Sequence, residues 1–276
     1  MKSLSQNARL LAGAVFAAAL LWLSVVQARA DDLATIKQRG ALIVGVKADY
    51  PPFGFRTPSG QIEGIEPALA VDVAKSLGVK LELMPVVAAN RMQFLEQGKI
   101  DLMIATLTAT PDRAKVINLV QPYYYAAGYN IMVPKSMKLR SWNDLRGKSV
   151  CGIQGAFYNK GAAEKFGLQV VAFTGTAEAL TALQQRRCVG LLYDDTSIEG
   201  ILLKPEWKNT HEMPLESQDS QPWAVAVRLG QPEWAAFMSK KVEQWAKDGT
   251  IARLEQQYNI KASQFVADMH KKYAGQ

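Results

Sequence analysis

The sequence predicts an α/β fold in which two lobes each contain a mainly parallel sheet flanked by helices. Short apolar runs rich in branched residues alternate along the chain with segments of helical periodicity. This order is typical of strand–helix–strand crossover units. The alternation occurs twice in the 276 residues, and two such series exceed the commonest size of one domain. We therefore expect two lobes.

The first series of elements begins with the apolar run 41–46, which predicts a buried strand inside a parallel sheet. A helix is expected over 67–77, because apolar residues recur at every fourth position, a proline lies at the start and Gly78 follows the end. Segments 79–87 and 100–105 are predicted strands. Strand, helix and strand at this spacing form the first crossover unit.

A second series repeats this order of elements. Its predicted strands and helices are 150–153, 160–166, 170–173, 177–186 and 189–193. From 232 to 276 the pattern becomes helical, with an apolar face that ends before Asp248-Gly249. The chain shows no tandem repeat and no low-complexity linker.

Composition and charge exclude several classes of protein. Hydrophobic residues make up 49% of the chain and charged residues 21%, which is typical of a folded protein with a core and excludes a disordered or collagen-like chain. The formal net charge is +7, but basic residues alternate with acidic ones, so nucleic-acid binding is not indicated. The nucleophile-elbow, dinucleotide-binding and phosphate-loop motifs are missing from the sequence, and we expect no cofactor.

The N-terminal segment 1–30 is predicted to be a cleavable signal peptide. It has a basic start, an apolar stretch from Leu10 to Val26 and the small-x-small sequence Ala28-Arg29-Ala30. Cleavage after Ala30 would make Asp31 the N-terminus. An uncleaved membrane anchor is the alternative, since the apolar stretch approaches the minimum length of a spanning helix. We expect an exported, periplasmic protein.

Two cysteines, Cys151 and Cys188, lie in the portion that we expect to be exported. An oxidising compartment would allow them to pair, so we expect a disulfide, and two buried free thiols are the alternative. A metal site is not expected, because neither cysteine has a Cys or His neighbour at ligand spacing. The two histidines, His211 and His270, are isolated in the sequence.

Polar and aromatic groups collect after four predicted strands, at 47–53, 105–113, 154–158 and 194–196. Ligands of open α/β sheets bind beyond the carboxyl ends of the strands. In the second cluster a helix is expected to begin at Pro111, and its free amides form an anion cradle with the Thr108 hydroxyl. The Arg113 guanidinium can grip a carboxylate with two parallel hydrogen bonds. Asp194 and Asp195 would point to opposite faces of a strand unless the chain turns there.

Eight short motifs follow one another along the chain. They are Tyr50-Pro-Pro-Phe-Gly-Phe55, Gly64-Ile-Glu-Pro67, Asn90-Arg91, Gly98-Lys-Ile-Asp101, Leu107-Thr-Ala-Thr-Pro-Asp-Arg113, Gln121-Pro-Tyr-Tyr124, Asp144-Leu-Arg-Gly-Lys148 and Asp194-Asp195. In this order and spacing the sequence resembles the periplasmic polar-amino-acid-binding proteins of ABC importers, which form family 3 of the bacterial extracellular solute-binding proteins. The resemblance implies the periplasmic binding protein fold, in which two α/β lobes are joined by two hinge strands and trap a free amino acid between them.

The resemblance also implies roles for individual side chains. Tyr50 matches the aromatic residue that packs over the ligand, and Phe53 belongs to the same motif. Thr108 and Arg113 match the pair that grips the α-carboxylate. Asp195 matches the acid of the second lobe that receives the α-ammonium.

Four further positions follow from the same resemblance. The backbone carbonyl of Thr106 resembles one that also accepts from the ammonium, and the amide near Phe157 resembles one that meets the carboxylate. Lys47 occupies a position that is often basic in relatives for acidic amino acids and often Asp in the others. Arg91 is a second candidate to meet a side-chain carboxylate. The expected ligand is a polar L-amino acid, with an acidic side chain favoured.

The chain is expected to cross between the lobes near 124–128 and to return near 222–225. Residues 31–125 and 223–276 then form lobe 1, and 126–222 form lobe 2. Ligand binding would close the lobes, because only the closed form satisfies both ends of a zwitterion. The expected partner of the closed form is an inner-membrane ABC permease, and the protein is expected to be a monomer.

An enzyme and a sensory protein are the alternatives. The same scaffold is similar to periplasmic cyclohexadienyl dehydratases, but such chemistry needs a positioned acid. No Glu or His stands at a matching strand end, so we expect a binding protein without catalytic residues. A binding protein that presents its ligand to a chemosensory receptor is the other alternative.

Overall fold

The computed structural model describes residues 31–275, so the predicted signal peptide lies outside the described residues. The helices are α1 (Asp32–Arg39), α2 (Ile65–Leu77), α3 (Arg91–Glu96), α4 (Pro111–Ala114), α5 (Asn159–Phe166), α6 (Thr176–Gln184), α7 (Asp195–Leu202), α8 (Pro205–Lys208), α9 (Pro232–Lys247), α10 (Thr250–Gln257) and α11 (Gln264–Ala274). The strands are β1 (Ala41–Val46), β2 (Asp49–Tyr50), β3 (Gly54–Arg56), β4 (Ile62–Glu63), β5 (Lys80–Pro85), β6 (Leu102–Met103), β7 (Ile117–Pro134), β8 (Ser149–Ile153), β9 (Gln169–Phe173), β10 (Leu191–Asp194), β11 (His211–Glu212) and β12 (Gln218–Arg228). Within residues 31–275, no helix combines the length and the apolar character needed to cross a membrane.

One sheet runs through the fold in the order β5-β1-β6-β12-β7-β10-β8-β9, and β11 pairs with β7 beside it. At one end β1 lies between β5 and β6 and is parallel to both. At the other end β8 is parallel to β9 and to β10. We call the half with β1–β6, α1–α4 and α9–α11 lobe 1, and the half with β8–β10 and α5–α8 lobe 2. The predicted α/β class with two parallel sheet regions is confirmed.

Two long strands join the lobes. β7 and β12 are antiparallel to each other, β12 pairs with β6 of lobe 1, and β7 pairs with β10 of lobe 2. β7 is 18 residues long and is almost entirely buried from Tyr124 to Val133. A strand buried on both faces shows no alternation of apolar and polar residues. The sequence pattern therefore predicts crossing points here but no continuous strand.

Local sequence signals explain where several elements end. Gly78 follows α2 with a left-handed φ of 68°, and its N–H donates to the Ala74 and Lys75 carbonyls. The predicted strand 100–105 is only two residues long in the structure, from Leu102 to Met103. Part of the reason is that the Asp101 carboxylate, and not a strand carbonyl, accepts the Ile43 N–H at 2.8 Å.

Cys151 and Cys188 form a disulfide, which confirms the predicted pairing. Cys151 lies in β8, and Cys188 lies in the turn before β10. Both side chains are buried in the core of lobe 2. The bond closes a loop with a sequence separation of 37 residues, and a constraint of this length on the unfolded chain is worth roughly 3–4 kcal/mol.

Candidate ligand-binding cleft

A small cavity lies between the lobes, beyond the carboxyl ends of β1, β8 and β10. It is lined by Lys47, Ala88, Arg91, Thr106, Thr108, Arg113, Ala156, Phe157, Tyr158, Tyr193 and Asp194. Its volume is about 20 Å³, close to the space that one water molecule needs. The lobes therefore have to move apart before a larger molecule can reach it.

Most of the residues that the sequence analysis singled out meet at this cavity. The six that line it are Lys47, Arg91, Thr106, Thr108, Arg113 and Phe157. Tyr50, Phe53 and Asp195 are not part of its lining among the described residues. Six of the nine predicted positions therefore meet at one cavity, from both lobes. The other three lie outside its lining.

Arg113 reaches across the cleft from the short helix α4. Thr110 caps this helix, because its hydroxyl accepts the Arg113 N–H at 3.3 Å. The guanidinium donates to the Thr108 carbonyl of lobe 1 at 2.8 Å and to the Gly155 carbonyl of lobe 2 at 3.2 Å. Burial and the nearby Arg91 charge lower the pKa of Arg113 to about 9, so the group is still a cation at neutral pH. A carboxylate would satisfy this cation better than neutral carbonyls do.

Asp194, and not Asp195, lies on the cavity wall. Asp194 ends β10 and Asp195 begins α7, so the chain turns between them. The Asp194 carboxylate accepts the Tyr50 hydroxyl at 2.9 Å, and burial raises its pKa to about 6. Asp195 instead accepts the N–H groups of Gly128 at 3.2 Å and Thr196 at 2.7 Å, beside the hinge strand β7. The acid that faces the cavity from lobe 2 is one residue earlier than the sequence analysis assumed.

Tyr50 joins the two lobes beneath the cavity. Its side chain is fully buried, and its hydroxyl lies 2.8 Å from the Thr196 hydroxyl as well as bonding Asp194. Its ring meets Phe53 edge to face, with the ring centres 5.7 Å apart. Phe53 in turn packs against Trp223 of the hinge strand β12. Tyr50 is thus a polar contact between the lobes, and Phe53 supports it from the core.

The loop after β6 is held in an unusual backbone conformation. Thr106 has a φ of 48°, in the left-handed region that a β-branched residue rarely adopts. The buried Arg91 guanidinium donates to the Thr106 carbonyl at 3.0 Å and also to the Ala105 carbonyl. From the other side the Thr106 N–H donates to Glu66 at 2.6 Å. Because bonds grip this peptide at both ends, the surroundings enforce the strained conformation.

Glu66 is a buried acid to which the sequence analysis gave no role. It lies in the first turn of α2, and its Oε1 accepts both the Thr106 N–H and the Tyr124 hydroxyl, the latter at 2.5 Å. Its Oε2 has no hydrogen-bond partner among the described residues. Burial raises the pKa of Glu66 to about 7. The signal in the sequence was an acid at the start of an otherwise apolar helix, within the Gly64–Pro67 motif.

Lys47 is the third cation at the cavity and is almost completely buried. Its ammonium pairs with Asp49 Oδ1 at 2.8 Å. Burial alone would raise the pKa of Asp49, but the Lys47 charge and hydrogen bonds from Thr176 hold it below its ordinary value. Lys47 is therefore placed between the cavity and the Asp49 carboxylate.

A family model for bacterial extracellular solute-binding proteins, family 3, matches residues 42–261 of this sequence. The chain belongs to this family. The match confirms the resemblance carried by the eight motifs, and it spans both lobes and both hinge strands.

Relatives of known name agree with this assignment. The ABC transporter glutamine-binding protein GlnH of Bacillus subtilis (strain 168) is 30% identical over 229 residues, which cover 81% of this chain and 82% of the relative. The cysteine-binding protein from Campylobacter jejuni has a solved structure with a TM-score of 0.77 and 26% identity, covering 83% of this chain and 93% of that chain. The solved structure is two-lobed, and this chain shares its fold.

A third similar structure is that of the ancestral amino acid-binding protein AncCDT-1, a precursor of cyclohexadienyl dehydratase. Its TM-score is 0.73 at 29% identity, covering 82% of this chain and 99% of that chain. All three named proteins are binding proteins, of glutamine, of cysteine and of an amino acid.

Glu66→Gln tests the buried acid of lobe 1. The pKa of the Glu66 carboxyl is raised from 4.5 to about 7, so the folded protein holds this proton at a pH where the unfolded chain releases it. The contribution of this bound proton to the free energy of unfolding is fully present below pH 4.5 and is lost as the pH rises through about 7. Gln does not titrate. As the pH rises from 4.5 to 8, the free energy of unfolding of the variant should therefore increase by about 3 kcal/mol relative to that of the wild type.

Urea unfolding at several pH values measures this difference. Glu164→Gln makes the same change at an exposed carboxyl of α5 and is the matched control. If the difference in the free energy of unfolding between Glu66→Gln and wild type stayed constant from pH 4.5 to 8, the buried placement of Glu66 would be contradicted.

Proposed function

We propose that this protein is the extracytoplasmic substrate-binding component of an amino-acid ABC transporter. It binds one free polar L-amino acid between its lobes, closes over it and delivers it to the membrane permease. The observation that carries the proposal is the pair of half-buried opposite charges, Arg113 from lobe 1 and Asp194 from lobe 2, on the wall of one cavity. The named relatives support the same class of ligand.

The backbone groups of an amino acid match the two ends of this cavity. The α-carboxylate binds the Arg113 guanidinium and the Thr108 hydroxyl, and the amide near Phe157 approaches it from lobe 2. The α-ammonium binds the Asp194 carboxylate and the Thr106 carbonyl. Each lobe supplies one charge, so only the closed form satisfies both ends of the zwitterion.

The charges that remain favour an acidic side chain. Among residues 31–275, the cavity lining contains three cations, Lys47, Arg91 and Arg113, and one carboxylate, that of Asp194. After Arg113 and Asp194 are matched with the zwitterion, a side-chain carboxylate would meet Arg91 and Lys47, the second of which Asp49 already pairs at 2.8 Å. A unit charge pair at about 4 Å is worth about 4 kcal/mol at an effective dielectric of 20, so this excess can dominate selectivity.

The hinge supports the lobe boundaries expected from the sequence. Tyr125 of β7 pairs with Trp223 of β12, and Ala126 pairs with Pro222. Both crossing points therefore lie at the same level of the two strands. We assign 31–125 and 223–276 to lobe 1 and 126–222 to lobe 2, with closure by bending at this level.

Export to the periplasm is part of the proposal, with Asp31 as the mature N-terminus and a monomer as the functional form. The family is extracellular by description. Helix α1 begins at Asp32, one residue after the proposed N-terminus, and it is tied to the rest of lobe 1. The Asp32 N–H donates to the Gln231 side chain at 2.6 Å, and the Asp32 carboxylate pairs with Arg228.

Binding without a chemical step is also proposed. The named relatives are binding proteins, and the similar AncCDT-1 is itself an amino acid-binding protein. The Asp194 carboxylate accepts a hydrogen bond from the Tyr50 hydroxyl, which holds it at the cavity wall. There it can accept a further hydrogen bond from the ammonium group of an amino acid. A chemosensory role would use the same closed form with a receptor in place of the permease.

Titration calorimetry with aspartate, glutamate, asparagine, glutamine, histidine and arginine tests the proposal. Aspartate or glutamate should bind tightest, with a micromolar dissociation constant, which corresponds to a binding free energy of about −8.2 kcal/mol. Arg113→Ala should abolish binding of every amino acid, and Lys47→Met should reduce the preference for an acid over its amide at least tenfold. Arg140→Ala removes an exposed arginine and is the matched control.

The outcomes separate the parts of the proposal. Tightest binding of arginine or histidine would contradict the acidic preference only. Unchanged affinity in a folded Arg113→Ala protein would contradict the charge clamp. Failure of the wild type to bind any of the six would contradict the proposed function.

Gly200→Ala should hinder closure. Gly200 lies on α7 of lobe 2, and an added Cβ would sit 2.3 Å from the Pro51 carbonyl oxygen of lobe 1. Alanine favours the helix itself, so the substitution acts on the approach of the lobes. We expect at least tenfold weaker binding by calorimetry. The control is Gly161→Ala, on α5, where an added Cβ meets no atom within 4 Å and the affinity should stay within twofold of wild type. Equal affinity of both variants would contradict the close contact between Gly200 and Pro51 in the closed form.

A further inference from the structure

Two consecutive residues of lobe 1 reach across the closed cleft. Tyr50 bonds Asp194 and Thr196 at the start of α7, and Asp49 bonds Thr176 at the start of α6. Asp49 and Thr176 are 127 residues apart in the chain. Neither Asp49 nor Thr176 lines the cavity, so their contact is separate from the residues proposed to touch the ligand.

The Asp49 carboxylate uses its two oxygens in different directions. Oδ1 pairs with the Lys47 ammonium at 2.8 Å, within lobe 1. Oδ2 accepts the Thr176 N–H at 3.0 Å and the Thr176 hydroxyl at 3.2 Å, across the cleft. Lys47 and Thr176 are both nearly fully buried. One carboxylate therefore links a cation of the cavity wall to the opposite lobe.

In the part of the chain that the structure describes, the N-cap residue of helix α6 makes no side-chain hydrogen bond to the helix. Its N-cap residue is Gly175, which has no side chain, and the first N–H groups of a helix lack partners within the helix. Asp49 fills this role from the other lobe, with a negative charge at the positive end of the helix. Gly175 allows the approach, because a Cβ there would lie 3.3 Å from Asp49 Oδ2.

We propose that Asp49 is a positioning residue for closure, which caps α6 of lobe 2 when the cleft shuts and holds Lys47 at the cavity wall with the same carboxylate. The inference rests on the proposed function, since it concerns the closed, ligand-bound form. Opening the cleft removes the cap from α6. The contact therefore slows ligand release and has little effect on the first encounter.

Thr176→Pro removes the lobe 2 side of this contact and leaves Asp49 and Lys47 intact. Proline is well tolerated at the first position of a helix, where it removes only the N–H. Gly175 has an extended backbone, with φ −139° and ψ 167°, which the residue before a proline prefers. Circular dichroism checks the fold, and Thr176→Ala is the milder variant if Thr176→Pro unfolds.

Stopped-flow tryptophan fluorescence with the tightest amino acid measures the two rate constants. Thr176→Pro should raise the dissociation rate about tenfold and change the association rate less than twofold. In an Asp49→Ala background the same substitution should change the dissociation rate less than twofold, because the pair acts as a unit. Thr181→Ala changes an exposed hydroxyl of the same helix and should behave as wild type.

Each outcome decides the inference. A wild-type dissociation rate in folded Thr176→Pro would overturn the role of Asp49; where Thr176→Pro does not fold, a wild-type rate in Asp49→Ala, which removes both bonds to Thr176, would overturn it. An equal effect with and without Asp49 would overturn it as well. If wild-type protein binds no amino acid, the proposed function fails and the inference fails with it; binding by wild type together with an unaffected variant refutes the inference alone.

Discussion

Arg113 and Asp194 face one small cavity from opposite lobes, and burial opposes the charge of each. In the closed structure their hydrogen bonds across the cleft go to neutral groups, the Gly155 carbonyl and the Tyr50 hydroxyl. A buried charge with neutral partners is a source of instability that a counter-charge relieves. A zwitterion supplies one counter-charge to each lobe. Binding and closure are then a single event, because neither lobe alone offers both charges.

The rest of the fold serves the placement of these two groups. In lobe 1 the bonds among Glu66, Thr106 and Arg91 hold the loop that leads to Arg113. In lobe 2 the turn from β10 into α7 aims Asp194 at the cleft. The two hinge strands run through both halves of the sheet, so bending at one level changes the separation of the charges without disturbing either core. The disulfide adds rigidity within lobe 2 alone.

Much of this arrangement was predictable from the sequence, because it depends on local patterns. Apolar runs and helix-ending glycines located most elements, and the strand-end polar clusters contain five of the six predicted residues of the cavity lining, whereas Arg91 followed only from the family resemblance. The sequence did not show that Asp194, and not Asp195, lines the cavity, because a turn of one residue decides which neighbour faces the cleft. Glu66 and Asp49 were missed because their roles depend on partners far along the chain, such as Thr176, 127 residues away.

Small-angle X-ray scattering with and without the tightest-binding amino acid tests the central claim most directly. If opposite charges on two lobes clamp one zwitterion, the radius of gyration falls on ligand addition and the scattering curve approaches that calculated from the closed structure. Superimposable curves at saturating ligand, with binding verified by calorimetry on the same sample, would contradict the claim that recognition of the amino acid draws the lobes together.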